Sequence, residues 1–226
     1  KGKWTMQMTK MTAKLTANDI ARMRQLHFRL SELGWSDVVI DGDSLASNMP
    51  PSSTWPRDLE ATFKGVRFQH IATSGSKNAI EIADRWDSHV HPHAPRDNGA
   101  RGVYILVAGK NDACMAKVSI DQTWDALQAM WAKARRDGFK VIATTVPSGM
   151  RPFAPLTLAD SNALRWRLNA RIRDNANLYD TLIDLAAMFQ DTDDTSLLSD
   201  GVHFTPSGNQ KVLDAVKPAV LNLLAL

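Results

Sequence analysis

Apolar runs rich in β-branched residues alternate with helical segments through most of this chain, and this alternation limits its fold more than any other feature. Continuous apolar strands separated by helices are typical of a parallel sheet with helices on both faces. The sequence therefore predicts an α/β protein with a three-layer α/β/α fold and a five-stranded parallel sheet. The five predicted strands are residues 38–40, 66–71, 102–108, 139–146 and 181–185.

The segments between these runs carry signals of helix starts. Residues 119–122 and 157–160 have the Ser/Thr-x-x-Gln/Asp spacing of a capping box, in which two side chains satisfy free backbone N–H groups. Pro206 stands at the favoured first position of the last helix, and Pro218 inside that helix predicts a kink.

A basic segment precedes the first predicted strand. Residues 1–35 carry seven Lys or Arg against two acidic residues, and residues 17–33 show the spacing of an amphipathic helix. We therefore divide the chain into an amino-terminal arm and helix over 1–35 and a main domain over 36–226. Such a charge cluster is more often a solvated helix face than a binding surface, and no basic stripe with aromatics follows, which argues against a nucleic-acid partner.

The single cysteine, Cys114, excludes an internal disulfide. No apolar run approaches the roughly 20 residues of a membrane-spanning helix, so the sequence predicts a soluble protein without a transmembrane segment. Numbering begins at Lys1 without an initiator methionine, which leaves open a removed leader, as in a secreted or periplasmic protein, or excision from a longer protein. Localisation and oligomeric state therefore stay open.

Residues suited to acyl transfer follow the predicted strands, at the edge where parallel sheets bind ligands. Ser44 follows the first strand, and His203 follows the fifth with Asp200 three residues before it. A serine hydroxyl needs an imidazole to take its proton and a carboxylate to orient that imidazole. Two alternatives stay open: Asp43 and Ser44 as a helix cap, and the segment 200–203 as a plain surface turn.

Acyl transfer also needs N–H donors aimed at the oxyanion. Gly75 follows the second strand in a turn that leads to a helix, and Asn111 follows the third. Each of these residues alone is more often structural than functional.

Taken together, the four segments resemble the SGNH, or GDSL, hydrolase superfamily over about residues 37–226. The matching blocks are Gly42-Asp43-Ser44, Gly75, Gly109-Lys110-Asn111-Asp112 and Asp200-Gly201-Val202-His203. The resemblance implies Ser44 as nucleophile, His203 as general base and Asp200 as its orienting carboxylate. It implies an oxyanion hole made by the backbone N–H groups of Ser44 and Gly75 and by the side chain of Asn111, and it implies no metal or organic cofactor.

Several further residues are candidates for contacts with substrate. Trp55, Arg151 and Phe153 lie in segments that leave the first and fourth strands, although Trp55 fits a place in the core equally well. Lys77 and Lys110 would favour anionic or carbohydrate substrates if they faced the pocket, but we expect both to project into solvent.

We predict a serine esterase with a flavodoxin-like sheet order. Its substrates are expected to be small-molecule or saccharide esters with a short acyl group such as acetyl. The alternatives are a lysophospholipase or thioesterase of the same family, or a non-catalytic module that binds carbohydrate or a partner. A third alternative is metal-dependent phosphoester hydrolysis by His89, His91 and His93, although three histidines without a cysteine or a placed carboxylate make a poor metal site.

Overall fold

The computed structural model describes residues 21, 36–47, 54–96, 101–115, 118–148, 152–189 and 196–225. The predicted arm and helix over 1–35 lie outside these residues, residue 21 excepted, and Arg151 lies outside them too.

All strands of the sheet are parallel, and their order is β2-β1-β3-β4-β5. This confirms the predicted fold class and the flavodoxin-like order. The strands are β1 (Ser36–Gly42), β2 (Val66–His70), β3 (Gly102–Val107), β4 (Phe139–Thr144) and β5 (Thr181–Ile183).

Strand β1 is two residues longer at each end than the apolar pattern predicts, β2 and β3 end one residue earlier, and β4 and β5 end two residues earlier. Val146 belongs to the predicted fourth strand, but its N–H donates to the side chain of Asn169 instead of to a neighbouring strand. Leu185 belongs to the predicted fifth strand, yet it begins a short helix that the Asp184 side chain caps. Side-chain partners therefore take these residues out of the sheet.

Helices connect the strands and cover both faces of the sheet. They are α1 (Trp55–Thr62), α2 (Ala79–Ala83), α3 (Lys110–Met115), α4 (Ile120–Arg136), α5 (Leu158–Asp174), α6 (Leu185–Met188) and α7 (Pro206–Ala225). The two predicted capping boxes are confirmed at the starts of α4 and α5. Helix α7 begins at Pro206 as predicted and continues through Pro218.

The hydrophobic core lies in two layers, one on each side of the sheet. Val38 and Ile40 of β1 pack in one layer with α1 and α7. Val39 between them packs in the other layer with α2, α4 and α5. This split follows from the strand geometry, in which successive side chains point to opposite faces. The carboxyl ends of the strands are thereby left as the edge at which loops can form a site.

Within the described part of the chain, no helix combines the length and the apolar character that crossing a membrane requires.

Candidate active site

The turn after β1 brings Ser44 to the carboxyl edge of the sheet. Gly42 has a φ of +140°, and a Cβ on it would overlap the carbonyl oxygen of Val107 in β3. The next residue, Asp43, donates its N–H to that same oxygen at 3.0 Å and accepts the Leu45 N–H on its Oδ1 at 2.9 Å. A glycine and an acceptor side chain are therefore both needed for the sharp bend that leaves Ser44 partly exposed.

Ser44, His203 and Asp200 form a continuous chain of hydrogen bonds. Nε2 of His203 lies 3.0 Å from Oγ of Ser44, and its Nδ1 lies 2.8 Å from Oδ2 of Asp200. The two contacts span opposite sides of one imidazole ring, which is the arrangement in which a base is oriented by a carboxylate. Residues that are 159 positions apart in sequence thus meet in space.

Asp200 is held in its ionised form by the turn in which it lies. Although partial burial alone would raise the pKa of Asp200, hydrogen bonds from His203 and Val202 lower it to about 2. Its Oδ1 accepts both backbone N–H groups, at 2.8 Å and 3.0 Å. The carboxylate is therefore charged at neutral pH and fixed towards the imidazole.

Asp43 differs from Asp200 in its surroundings. It is 1 % exposed, and its Oδ2 has no hydrogen-bond partner. Burial and, to a smaller extent, the nearby charge of Asp112 raise the pKa of Asp43 to about 7, although the Leu45 N–H, Lys110 and His203 oppose the rise. Asp43 thus supports the turn from below rather than reaching the cavity.

The segments after β2 and β3 lie beside Ser44 across one cavity. Gly75 has a φ of +99°, and a Cβ added to it would meet only open space. The side-chain amide of Asn111 donates one hydrogen bond to the carbonyl of Lys77 at 2.9 Å. An amide NH₂ carries two N–H groups, so this bond fixes the orientation of the side chain and leaves a second donor.

Asp112 is a structural residue of the site that the sequence analysis gave no role. It is fully buried, and it accepts the backbone N–H of Ala79 at 3.1 Å and the hydroxyl of Thr123 at 2.9 Å. These bonds tie the start of α2 and the first turn of α4 to α3. No local sequence pattern indicates this role, because Ala79 lies 33 positions from Asp112 along the chain.

Lys110 does not project into solvent, which corrects our expectation. Its side chain is buried, and its ammonium group donates to the carbonyls of Pro147 at 3.2 Å and Ser148 at 2.5 Å. Burial lowers the pKa of Lys110 to about 8. The lysine therefore joins α3 to the segment after β4. Lys77 is half-exposed and pairs with Glu81 at 3.0 Å.

A cavity of about 380 Å³ opens next to Ser44 and His203. Cys114, Met115, Phe153 and Val202 contribute its apolar lining. The backbone N–H of Phe153 donates to the carbonyl of Cys114 at 2.9 Å, which anchors the segment after β4 to α3. The lining residues are Ser44, Ser74, Gly75, Ser76, Lys110, Asn111, Cys114, Met115, Phe153, Asp200, Val202 and His203.

Trp55 is not among the residues that line the cavity, which corrects the prediction that it contacts substrate. It is fully buried under the Ser44 turn, and its indole N–H donates to the carbonyl of Leu45 at 2.8 Å. Of the three predicted contacts, Phe153 lies at the cavity, Trp55 lies in the core and Arg151 lies outside the described residues.

The three neighbouring histidines do not lie at the cavity. His89 contacts Ser88 at 2.7 Å, and His91 contacts Asp137 at 2.8 Å. Asp137 comes just before β4, so this cluster lies at the amino-terminal edge of the sheet. Among the described residues, no group of three or more His, Cys, Asp or Glu side chains is placed to hold a metal ion.

Comparison with known proteins finds a family to which this chain is similar. The model of the GDSL-like lipase/acylhydrolase family matches residues 40–211. No curated protein matches the chain.

Solved structures share the fold at low sequence identity. A GDSL-like lipase from Bacteroides thetaiotaomicron is 19% identical, with 89% of this chain and 98% of that chain covered and a TM-score of 0.67. An acetyl xylan esterase, AlAXEase, is 21% identical, with 82% and 99% covered and a TM-score of 0.60. A catalytic mutant of an acetylxylan esterase from Geobacillus stearothermophilus is 13% identical, with 81% and 93% covered and a TM-score of 0.61.

Proposed function

Because the chain belongs to the GDSL-like lipase/acylhydrolase family, we propose that it is a serine esterase that hydrolyses carboxylic esters through an acyl-serine intermediate. The observation that carries this proposal is the chain of hydrogen bonds from Ser44 through His203 to Asp200. A free serine hydroxyl is too weak a nucleophile at neutral pH, and this contact with an oriented imidazole is what activates it.

In this mechanism His203 moves the protons and Asp200 keeps it in place. With its Nδ1–H directed at Asp200, the ring presents Nε2 as the acceptor for the Ser44 proton. The serine oxygen then forms a bond to the ester carbonyl carbon. His203 returns the proton to the departing alcohol as the carbon–oxygen bond to it breaks. In the second half of the reaction the same imidazole takes a proton from water, whose oxygen forms a bond to the acyl carbon. The bond from this carbon to the Ser44 oxygen then breaks, and His203 returns the proton to that oxygen.

The negative charge on the tetrahedral intermediate needs donors in place before the reaction begins. We assign this role to the backbone N–H groups of Ser44 and Gly75 and to the side chain of Asn111. The bond from Asn111 to the Lys77 carbonyl supports the assignment, because it holds the amide in a fixed orientation. The mechanism uses no metal and no organic cofactor.

For the substrate, we propose an ester with a short acyl group such as acetyl, borne by a small alcohol or a saccharide. The cavity of about 380 Å³ has room for an acetyl group together with part of the saccharide that bears it. Two of the solved structures with this fold are named as acetyl xylan esterases, which favours the same choice. Phe153 is the proposed apolar contact.

The proposal is tested with a series of p-nitrophenyl esters from acetyl to palmitoyl, acetylated sugars and a fluorophosphonate probe. We expect turnover to be highest with the acetyl ester and labelling to disappear in Ser44→Ala. Ser88→Ala is a matched control, since Ser88 also contacts a histidine but lies away from the cavity. Labelling that survives Ser44→Ala would refute the enzyme proposal, whereas a peak at long chains would refute only the choice of acyl group.

A further inference from the structure

A network of polar side chains lies directly before the Ser44 turn. Asp41, the second-last residue of β1, is fully buried. Its Oδ1 accepts the Gly42 N–H at 2.8 Å and a guanidinium N–H of Arg85 at 2.5 Å, and its Oδ2 accepts the hydroxyl of Tyr104 at 3.0 Å. Arg85 comes two residues after α2, and its side chain is 14% exposed.

The same guanidinium group contacts a second segment of the site. Its Nη2 also donates to the carbonyl of Gly42 at 3.0 Å, and its Nη1 donates to the hydroxyl of Thr73 at 2.7 Å. Thr73 in turn donates its backbone N–H to the Gly42 carbonyl at 3.2 Å. One planar group thus joins the turn that bears Ser44 to the segment that bears Gly75.

We propose that Arg85 is a positioning residue that fixes the distance between the backbone N–H groups of Ser44 and Gly75. The proposal rests on the function proposed above, in which these two groups bind the oxyanion. Arg85 itself lies outside the Gly-Asp-Ser and Gly-x-Asn-Asp blocks.

Two physical features make Arg85 suited to this role. The guanidinium is a rigid fork whose donors lie in one plane, so its bonds to Asp41, Gly42 and Thr73 fix relative positions and not only contacts. In addition, Thr73, Ser74 and Gly75 are exposed, so burial does little to hold their segment in place. The contacts with Arg85 and Gly42 therefore contribute much of its alignment.

Alignment of this kind affects the transition state more than substrate binding. An oxyanion donor must lie within hydrogen-bond distance of an oxygen that carries charge only during the reaction. A displacement of about 1 Å can cost about 100-fold in rate. Loss of Arg85 should therefore lower kcat and leave KM nearly unchanged, whereas a general loss of structure would lower the folded fraction.

The test uses Arg85→Met, Arg85→Lys and Thr73→Val in the full chain, with p-nitrophenyl acetate as substrate and thermal unfolding to confirm folding. Arg67→Met is the matched control. Arg67 pairs with Asp37 at 2.6 Å, so the control removes an arginine from a buried carboxylate at the opposite end of the same strand. A boronic acid that forms a tetrahedral adduct with the serine reports on the oxyanion donors directly.

We expect Arg85→Met to lower kcat by about 10- to 100-fold, with KM within about 3-fold, and to weaken the boronic acid by a similar factor. Arg85→Lys should recover part of the loss, Thr73→Val should lose about 3- to 10-fold, and Arg67→Met should keep the wild-type kcat. Thr73→Val leaves the Asp41 pair intact, so it decides the matter if Arg85→Met does not fold.

A folded Arg85→Met with wild-type kcat, or an equal loss of kcat in Arg67→Met, would overturn the positioning role. If Arg85→Met does not fold, an unchanged kcat in Thr73→Val would overturn it as well. The function itself is checked separately. An inactive wild type, or an active Ser44→Ala, would refute the proposed esterase, whereas an active wild type with an unaffected Arg85→Met would refute only the role of Arg85.

Discussion

Asp43 is buried, with one carboxylate oxygen hydrogen-bonded and the other unpartnered, and its burial makes the stability of the protein depend on pH. Burial raises the pKa of Asp43 from 3.8 to about 7. Between about pH 4 and 7 the folded protein therefore holds a proton that the unfolded chain has lost. The contribution of Asp43 to stability is full below about pH 4 and is lost as the pH rises through about 7.

Asp43→Asn should remove this dependence, because the amide oxygen can still accept the Leu45 N–H but cannot ionise. We expect the free energy of unfolding of the variant minus that of the wild type to rise from pH 4.5 to 7.5, by on the order of 4 kcal/mol at most. Urea unfolding at several pH values measures it. A difference that stays constant over this range would contradict the prediction.

In the proposed mechanism Asn111 acts in the reaction and not in folding. Asn111→Ala should lower kcat by about 100- to 1,000-fold, with little change in KM, as expected for loss of one oxyanion donor. Asn169→Ala is the matched control, because Asn169 makes two buried backbone hydrogen bonds to Val146 away from the cavity. We expect the control to lose about 1–3 kcal/mol of stability and to keep kcat. Equal losses of kcat in both variants would contradict the role of Asn111.

The sequence predicted the residues that meet at the cavity better than the residues that support them. Ser44, Asp200 and His203 can be predicted from the sequence, because their residue types and their order along the chain indicate acyl transfer. Lys110 was not, because its burial depends on two carbonyls that lie 37 and 38 residues further along the chain. For Trp55, only the structure distinguishes a contact with substrate from a place in the core, since both alternatives put the aromatic ring near the same turn.

Two helices begin with a capping box, and only one of these capping boxes lies next to the proposed active site. Ser119 caps α4 away from the cavity, and Asn78 caps α2 directly after the segment that bears Gly75. Ser119→Ala should cost about 1 kcal/mol of stability without changing kcat. Asn78→Ala should cost a similar amount and also lower kcat, because the Lys77 carbonyl that holds Asn111 is next to it. Chemical unfolding and ester turnover of both variants check this, and unchanged kcat in Asn78→Ala would contradict it.

The elements themselves were largely predictable, because strand and helix periodicities differ and the capping residues are local. All five strands were predicted, and both predicted capping boxes are present in the structure. The errors lie at strand ends: in β2 to β5 the apolar composition continues beyond the strand, whereas β1 extends beyond its apolar run. Val146 shows the reason: its N–H is taken by Asn169 of α5, a contact between residues 23 positions apart that no local pattern contains.

The parallel sheet brings the residues of the proposed active site together at its carboxyl edge. The segments that follow β1, β2, β3 and β5 supply Ser44, Gly75, Asn111 and His203, and the segment after β4 supplies Phe153. In the proposed mechanism the first four residues carry out the reaction, whereas Phe153 contacts the acyl group from a segment that supplies none of them. A substitution of Phe153 should therefore change the preferred acyl group and leave ester hydrolysis itself intact.

Phe153→Ala tests this separation. Phe153 lines the cavity and is held to α3 through its backbone, so removing its ring should widen the acyl site while the segment stays in place. We expect the highest kcat/KM to move from acetyl towards butyryl or hexanoyl p-nitrophenyl esters, with about 10-fold or less change for acetyl. Leu158→Ala is the matched control, since Leu158 is an equally exposed apolar residue of the same region that is not among the residues lining the cavity. An unchanged chain-length profile in Phe153→Ala, or the same shift in both variants, would show that Phe153 does not limit the acyl group.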